Sequence, residues 1–224
     1  MNKRGREGTS TQQRRQELKE ALVQAGIRTI ETKGLNALRA RDLAREANCS
    51  LGAIYNVFQD IDMLILTINT ATMVLLERHL SKVAKPFQMI SGDEAKLQAR
   101  EQLVALALSY LDFAANNLLR WRALFEHRMQ TRHGAPDWYT EEITKLFIFI
   151  EQPVQVLVPA LDQPERSLLA RSLFSAAHGM VSLGLEEKIG TIPFERLNDQ
   201  IRIVVDTMAC GLMMRETTIS LDRK

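Results

Sequence analysis

Residues 39–58, RARDLAREANCSLGAIYNVF, decide the fold of this chain. Apolar residues at three- and four-residue steps predict a short helix over about residues 39–47. Asn48-Cys49 interrupts that helix, and Ser50 is a favourable N-cap for a second short helix that ends near Val57. A tight turn between two short helices is the signature of a helix-turn-helix motif. The positions that would face inward are Leu43, Ala44, Ala47, Ile54 and Phe58.

The opposite face of the second helix has an unusual composition. Gly52 costs about 1 kcal/mol relative to alanine inside a helix. Its presence therefore favours a position that another backbone approaches closely, and a DNA phosphate is one candidate. The residues predicted to be exposed there are Leu51, Gly52, Ala53, Tyr55, Asn56 and Val57.

The segments on both sides of this motif also have helical periodicity. A first helix is predicted over Gln13–Lys33, and Gly34 can end it with a left-handed cap. Asp60 is the predicted cap of a long helix from Ile61 to about Val83. We therefore predict an all-α chain of nine helices. The remaining helices are Glu94–Asn116, Leu118–Gln130, Asp137–Val158 with a kink at Pro153, Glu165–Glu187, and one from Pro193 to about Glu216.

Composition and charge narrow the class of protein. Of the 224 residues, 46% are hydrophobic and 25% are charged, which excludes wholesale disorder. The longest charge-free stretches, 63–76 and 172–185, are shorter than the roughly 20 residues of a membrane span. Residues 1–60 contain 11 Lys and Arg against 7 Asp and Glu, an excess that favours a polyanionic partner. Cys49 and Cys210 are too few for a disulfide framework, so we expect a cytoplasmic protein.

The segments Gly34–Ala44 and Cys49–Phe58 resemble the DNA-binding domain of the TetR family of bacterial transcriptional regulators. The stretch His178–Leu183 is similar to a His-Gly signature in the eighth helix of one subgroup of that family. The resemblance implies an N-terminal helix-turn-helix domain and a larger C-terminal ligand-binding and dimerisation domain. We place a basic flexible arm at 1–12, the DNA-binding domain at 13–60 with an extension to about 75, and the C-terminal domain at 61–224.

The resemblance also implies which residues meet operator DNA. Ser50 and Gly52 would bind phosphate together with Tyr55, and Arg39 and Arg41 beside Ala40 would add phosphate contacts. Asn56 could form a bidentate contact, preferentially with adenine, while Leu51, Ala53 and Val57 pack on thymine methyl groups. We expect an A·T-biased site. The basic N-terminus is equally compatible with a minor-groove arm and with a disordered tail. Asn48 stands where the family usually has glycine.

The C-terminal domain is expected to hold a small, largely apolar ligand and to form a homodimer. Its candidate ligand residues combine aromatic rings with a few polar anchors: Asn69, Met73, Tyr110, Phe113, Trp121, Phe125, Phe147 and His178. Small and apolar residues on the last two helices are expected to pair two subunits: Ala176, Ala177, Gly179, Met180, Ser182, Leu183, Gly184, Ile201, Val205, Met208 and Leu212.

The resemblance, together with these patterns, implies a homodimeric repressor that its ligand releases from the operator. An activator, or a DNA-binding protein regulated by a partner protein, is the alternative within the class. A helical binding or enzymatic protein with an incidental helix-turn-helix is the alternative outside it. Histidines, cysteines and carboxylates show no metal-ligand spacing, and no catalytic or cofactor motif stands out. We expect no metal, no cofactor, no membrane partner and no enzymatic activity.

Overall fold

The computed structural model describes residues 4–87, 92–129, 134–186 and 192–222, with the backbone alone at 4–10 and 215–222. Within these ranges the chain forms nine α-helices and no strand, which confirms the predicted all-α fold. A 3-10 turn, Leu35–Ala37, follows the first helix. The helices are α1 Arg4–Lys33, α2 Ala40–Glu46, α3 Leu51–Val57, α4 Ile61–Ser81, α5 Gly92–Asn116, α6 Leu118–Glu126, α7 Asp137–Leu157, α8 Gln163–Leu185 and α9 Phe194–Asp222.

Three helix boundaries differ from the prediction by more than two residues. Helix α1 begins at Arg4, nine residues before the predicted start at Gln13; residues 1–3 of the expected basic arm lie outside the described ranges. Helix α6 stops early because His127 adopts an extended conformation, and α9 continues to Asp222.

The chain divides into two compact units. The first comprises Met1–Met73 and Asn117–Tyr139, and the second comprises Val74–Asn116 and Thr140–Lys224. The division falls inside α4, near the expected limit at about residue 75. Helix α6, however, belongs to the first unit, although the sequence placed it with the C-terminal domain.

Helix α6 belongs to the first unit because it contributes to that unit's apolar core. The core brings together α1, α2, α3 and the start of α4, and Ala123 of α6 is buried among them. Arg120 adds polar links from the same helix: its Nε donates to Thr72 Oγ1 at 3.2 Å and its Nη1 to Glu31 at 3.1 Å. Core side chains with at most 1% exposure are Leu22, Ala25, Ile30, Leu43, Ile54, Leu64, Ile68 and Ala123.

The turn between α2 and α3 is built from local hydrogen bonds. Cys49 N donates to Ala44 O at 2.9 Å, and Asn48 N donates to Arg45 O at 3.2 Å. These two bonds define a Schellman motif, in which the residue after the cap adopts a left-handed conformation. That residue is Asn48, with φ of 51°. The pattern explains why this position accepts asparagine in place of glycine, since asparagine tolerates the left-handed region better than other side chains do.

The second unit is organised around α9, which packs against α5 and α8. A stripe of α9 residues at four-residue spacing is buried: Leu197, Ile201, Val205 and Ala209. Arg100 of α5 donates from Nε and Nη2 to the two carboxylate oxygens of Asp206, at 2.5 and 2.6 Å. This bidentate pair holds the pKa of Asp206 below its usual range and raises that of Arg100.

The left-handed residue in the turn gives a first prediction. Asn48→Ala should lower the free energy of unfolding by about 1 kcal/mol, because a left-handed conformation costs an ordinary L-residue roughly 1–2 kcal/mol. Asn48→Gly should leave stability unchanged or raise it. Urea unfolding followed by circular dichroism measures both. Asn56→Ala, the same change at an exposed right-handed position of α3, is the control and should alter stability by less than about 0.5 kcal/mol. Equal losses at positions 48 and 56 would contradict the assignment.

Candidate functional site

Helix α3 buries one face and leaves the other uncovered. Ile54 is fully buried and Phe58, the residue after the helix, is 4% exposed. Leu51, Gly52, Tyr55 and Asn56 are exposed, and Ala53 and Val57 are half-buried. The predicted outward face is therefore open except at Val57, which packs against the apolar core of the first unit. Tyr55 is half exposed, which agrees with its assignment to the surface and not to the core.

The start of α3 is capped as predicted and has free space around its backbone. Ser50 Oγ accepts a hydrogen bond from Ala53 N at 3.2 Å. A Cβ atom added at Gly52 would meet nothing closer than Ser50 Oγ, at 4.0 Å. Packing within the chain therefore does not require glycine at this position. The backbone of α3 can be approached from outside.

The arginines near α3 divide into paired and unpaired groups. Arg28 forms an ion pair with Glu46 at 2.7 Å, and Arg45 forms one with Asp42 at 2.6 Å. The first of these ties α1 to α2. Each of these two arginines therefore has an acidic partner within the chain, although both pairs are exposed to solvent.

Arg39 and Arg41, by contrast, form no ion pair with any residue that the structure describes. Arg39 is the N-cap of α2, and its Nη1 donates to the carbonyl oxygens of Asn36 and Leu38 at 2.7 and 3.0 Å. Both arginine side chains are exposed, whereas Ala40 between them packs on the core. Two uncompensated cations thus lie at the start of α2.

Cys49 in the turn packs on the apolar core of the first unit. Burial raises the pKa of its thiol above the ordinary value, which lowers the fraction of reactive thiolate at neutral pH. This environment suits a small hydrophobic residue.

Four of the predicted ligand residues fall in the first unit. Asn69, Met73 and Trp121 are buried there, while Phe125 is 45% exposed. Asn69 Nδ2 donates to the carbonyl oxygen of Ala123 at 3.2 Å. The sequence did not single out Tyr139, whose pKa is raised by burial although its hydrogen bond with Asn69 lowers it.

The other four predicted ligand residues fall in the second unit, and three of them come together. The Tyr110 hydroxyl and His178 Nδ1 are 2.8 Å apart in a hydrogen bond. Phe174, which the sequence did not single out, stacks on His178 and meets Tyr110 and Phe147 edge-on. Phe113 is 1% exposed and lies beside His79, not in this cluster.

The aromatic cluster has two further properties. Arg171 lies over the ring of Phe147, with the guanidinium carbon 4.5 Å from the ring centroid. Burial lowers the pKa of His178 below its ordinary value of 6.5, so its ring is neutral at pH 7. A neutral imidazole beside a phenol offers a hydrogen-bonding group among apolar rings.

The predicted interface residues on α8 and α9 divide between the inside and the outside of the second unit. Gly184, Ile201 and Val205 are buried within the chain. A Cβ atom at Gly184 would lie 2.5 Å from Leu197 Cδ2, so this glycine permits close packing of α8 on α9. These three residues are therefore core residues, and the expectation that they face a second subunit is corrected.

The remaining interface candidates stay accessible. A Cβ atom at Gly179 would meet nothing within 4 Å, and Leu183 is 52% exposed. Half-buried residues complete the group: Ala176, Ala177, Met180, Ser182, Met208 and Leu212. The two helices also expose large apolar side chains that the sequence did not assign to the interface: Leu168, Ile203 and Met214.

The described part of the chain also bears on metal and membrane binding. Among its His, Cys, Asp and Glu residues, no group of three or more could hold a metal ion. By length and composition alone, α8 could cross a membrane, and the bent pair α3–α4 could count as a second span. Such helices are weak evidence for a membrane protein, because the core helices of soluble proteins can have the same length and apolar composition.

Comparisons with known proteins agree with this architecture. Residues 103–208 match the family described as tetracyclin repressor-like, C-terminal domain. No curated protein matches the chain significantly.

Several solved structures share the fold. A Rhodococcus sp. RHA1 protein of unknown function has a TM-score of 0.66 at 22% identity, over 88% of this chain and 95% of that chain. A candidate tetR family transcription regulator from Shewanella sp. PV-4 has a TM-score of 0.56 at 13% identity, over 88% of this chain and 95% of that chain. A bacterial regulatory protein in the tetR family from Rhodococcus RHA1 has a TM-score of 0.55 at 14% identity, over 89% of this chain and 96% of that chain.

The lowered pKa of His178 gives a second prediction. The unfolded chain takes up a proton near pH 6.5, whereas the folded chain resists it until a lower pH. His178 should therefore reduce stability as the pH falls below 6.5, and should have no such effect above it. Free energies of unfolding at pH 5, 6, 7 and 8, for the wild type and His178→Gln, measure this effect. The difference in stability, wild type minus variant, should become smaller as the pH falls from 7 to 5. A constant difference would contradict the burial of a neutral imidazole.

Proposed function

We infer that this chain, a TetR-family protein by its fold and by the match of residues 103–208, is a DNA-binding transcriptional regulator. The observation that carries the proposal is the uncovered face of α3, beside the unpaired Arg39 and Arg41. The backbone of α3 is open at Gly52, and two cations lie at the start of the preceding helix. This arrangement is suited to binding a duplex groove and its phosphates.

In the proposed complex α3 lies in the major groove. The hydroxyl groups of Ser50 and Tyr55 donate to phosphate oxygens, and the backbone at Gly52 approaches the phosphate chain. Asn56 is the exposed amide on this face, and amides pair best with adenine. The other residues of the face are apolar or small, so discrimination comes from Asn56 and from thymine methyl groups. The preferred site is A·T-biased.

The protein is proposed to act as a homodimer. Helices α8 and α9 expose apolar side chains that no described residue of the second unit covers, among them Leu168, Leu183 and Ile203. Small residues beside them, such as Gly179, allow helices to approach closely. Two such faces related by a two-fold axis bury each other and form a four-helix interface. To bind successive major grooves, such a dimer must place its two α3 helices about 34–36 Å apart.

A small, largely apolar ligand is proposed to release the protein from DNA, so that the protein is a repressor working in the cytoplasm. Support comes from the half-buried aromatic cluster, where the Tyr110–His178 pair offers a hydrogen bond among rings of Phe147 and Phe174. Reciprocal coupling follows thermodynamically: operator DNA must weaken ligand binding by the factor by which the ligand weakens operator binding. A thermal-shift screen of apolar and amphipathic metabolites, followed by titration with and without operator, tests this part.

The open space at Gly52 gives a third prediction. Gly52→Ala should not weaken the fold, since the added methyl group meets nothing closer than 4.0 Å and alanine favours helix. It should weaken binding to duplex DNA from upstream of the protein's own gene by about tenfold, equivalent to about 1.4 kcal/mol, because the methyl group stands where phosphate must approach. Mobility shift and thermal denaturation measure the two effects. Ser81→Ala, at an exposed position of α4 in the second unit and outside both proposed surfaces, is the control and should bind DNA normally. If the wild type bound no duplex, the proposed function would be wrong.

The exposed face of α8 gives a fourth prediction. Leu183→Glu should convert the dimer to a monomer, because a charge would then be buried in an apolar interface. Leu97→Glu on α5 is the matched control: Leu97 is 49% exposed and Leu183 is 52% exposed, and both lie in the second unit. Sedimentation velocity at micromolar concentration should find the Leu97 variant dimeric. A monomeric wild type, or equal behaviour of the two variants, would exclude this interface.

A further inference from the structure

The aromatic cluster of the second unit leads from an exposed cation to a buried phenol. Along α8, Arg171, Phe174 and His178 follow one another at steps of three and four residues, so they share one face of the helix. Arg171 is exposed, and Phe174 and His178 are half-buried. Tyr110, which is hydrogen-bonded to His178, is only 6% exposed. The cluster therefore leads from solvent into the unit over about 10 Å of α8, at 1.5 Å per residue.

The charge of Arg171 has no acidic partner in the part of the chain that the structure describes. Its guanidinium carbon lies 4.5 Å from the ring centroid of Phe147 on α7, but the side chain forms no ion pair there. The nearest acid along α7 is Glu151, four residues after Phe147. Both carboxylate oxygens of Glu151 already accept hydrogen bonds, from Ser167 at 2.7 Å and from Gln163 at 3.1 Å. The guanidinium therefore keeps its N–H donors for a carboxylate from outside the chain.

The face of α8 that carries the cluster is separate from the face proposed for dimerisation. At about 100° per residue, Leu183 lies about 120° around the helix axis from Arg171 and about 140° from His178. Pairing of two subunits through Leu183 therefore does not require the cluster. A ligand at the cluster and a second subunit can bind to the same helix.

We propose that the cluster binds an amphipathic carboxylate, with its anionic group at Arg171 and an apolar body of about 10 Å along Phe147 and Phe174. The order of exposure sets the orientation of this ligand. The carboxylate stays at the surface, where it pairs with the guanidinium while remaining partly hydrated. The apolar body points towards the Tyr110–His178 pair and displaces water from the two phenylalanine rings. The inference rests on the proposed ligand site and assigns a chemical class to the ligand.

The test uses three eight-carbon probes that differ only in their polar group: octanoate, octan-1-ol and octylamine. Titration calorimetry at low salt should find that the intact chain binds octanoate about tenfold more tightly than octan-1-ol, as expected for one charge-assisted pair. Octylamine should bind most weakly, because its ammonium would face the guanidinium. Raising the salt from about 20 mM to about 500 mM should weaken the binding of octanoate but not of octan-1-ol, since salt screens exposed charges.

The decisive variant is Arg171→Gln. Arg171 is exposed and glutamine favours helix, so the fold should be unaffected. The variant should bind octanoate about tenfold more weakly than the wild type and octan-1-ol equally well. Arg196→Gln removes the same charge from another exposed position of the second unit, at the start of α9, and should keep the wild-type preference.

The outcomes separate this inference from the proposed function. Loss of octanoate affinity in the Arg171 variant alone would support the inference. Equal affinity of the wild type for octanoate and octan-1-ol, or equal losses in the two variants, would overturn the preference for an anion and leave the ligand site standing. If the wild type bound none of the three probes, the inference would be wrong, while the mobility shift with Gly52→Ala would still decide DNA binding.

Discussion

The burial of Ile54 between α1, α2 and α4 is the constraint on which the candidate DNA-binding surface depends. Its side chain has no exposure to solvent, so α3 cannot rotate without leaving a cavity in the core of the first unit. Fixing this one side chain fixes which residues of α3 face outward. The Schellman turn at Asn48 and the Ser50 cap set the angle at which α3 enters this arrangement. A rotation of α3 about its own axis would therefore disrupt that packing.

Ion pairing distinguishes the arginines of the first unit that have an acidic partner in the chain from those that do not. Arg28 and Arg45 are neutralised by Glu46 and Asp42, and Arg120 is nearly buried between Glu31 and Thr72. Replacing Arg120 would disturb packing within the first unit, whereas the Arg28 and Arg45 pairs are largely exposed and contribute little to stability. Arg39 and Arg41 keep their full charge for an external anion. A count of basic residues in the sequence does not make this distinction.

The second unit uses small residues in two opposite ways. Gly184 lets α8 approach Leu197 of α9, so its small size serves the fold of one chain. Gly179, on the same helix, faces open space, and Leu183 beside it is half exposed. An apolar helix with an inward and an outward glycine can pack on its own chain and still present a face to another. The aromatic cluster around His178 is a third feature of this helix, and burial keeps its imidazole neutral.

The sequence by itself determined the nine helices, the capped turn and the outward face of α3, because each depends on residues within a few positions of one another. Ser50, Asn48 and the spacing from Ile54 to Phe58 are local signals of this kind. Only the tertiary structure decided that α6 belongs to the first unit, through Ala123 and Arg120. Only the structure shows that Gly184 faces its own chain whereas Gly179 faces open space. A segment that is apolar on all sides has no periodicity from which its buried side could be predicted. The structure also added Phe174 to the pair of Tyr110 and His178, which are 68 residues apart. Contacts across such distances depend on how two helices pack against each other. The sequence of each helix does not specify that mutual orientation.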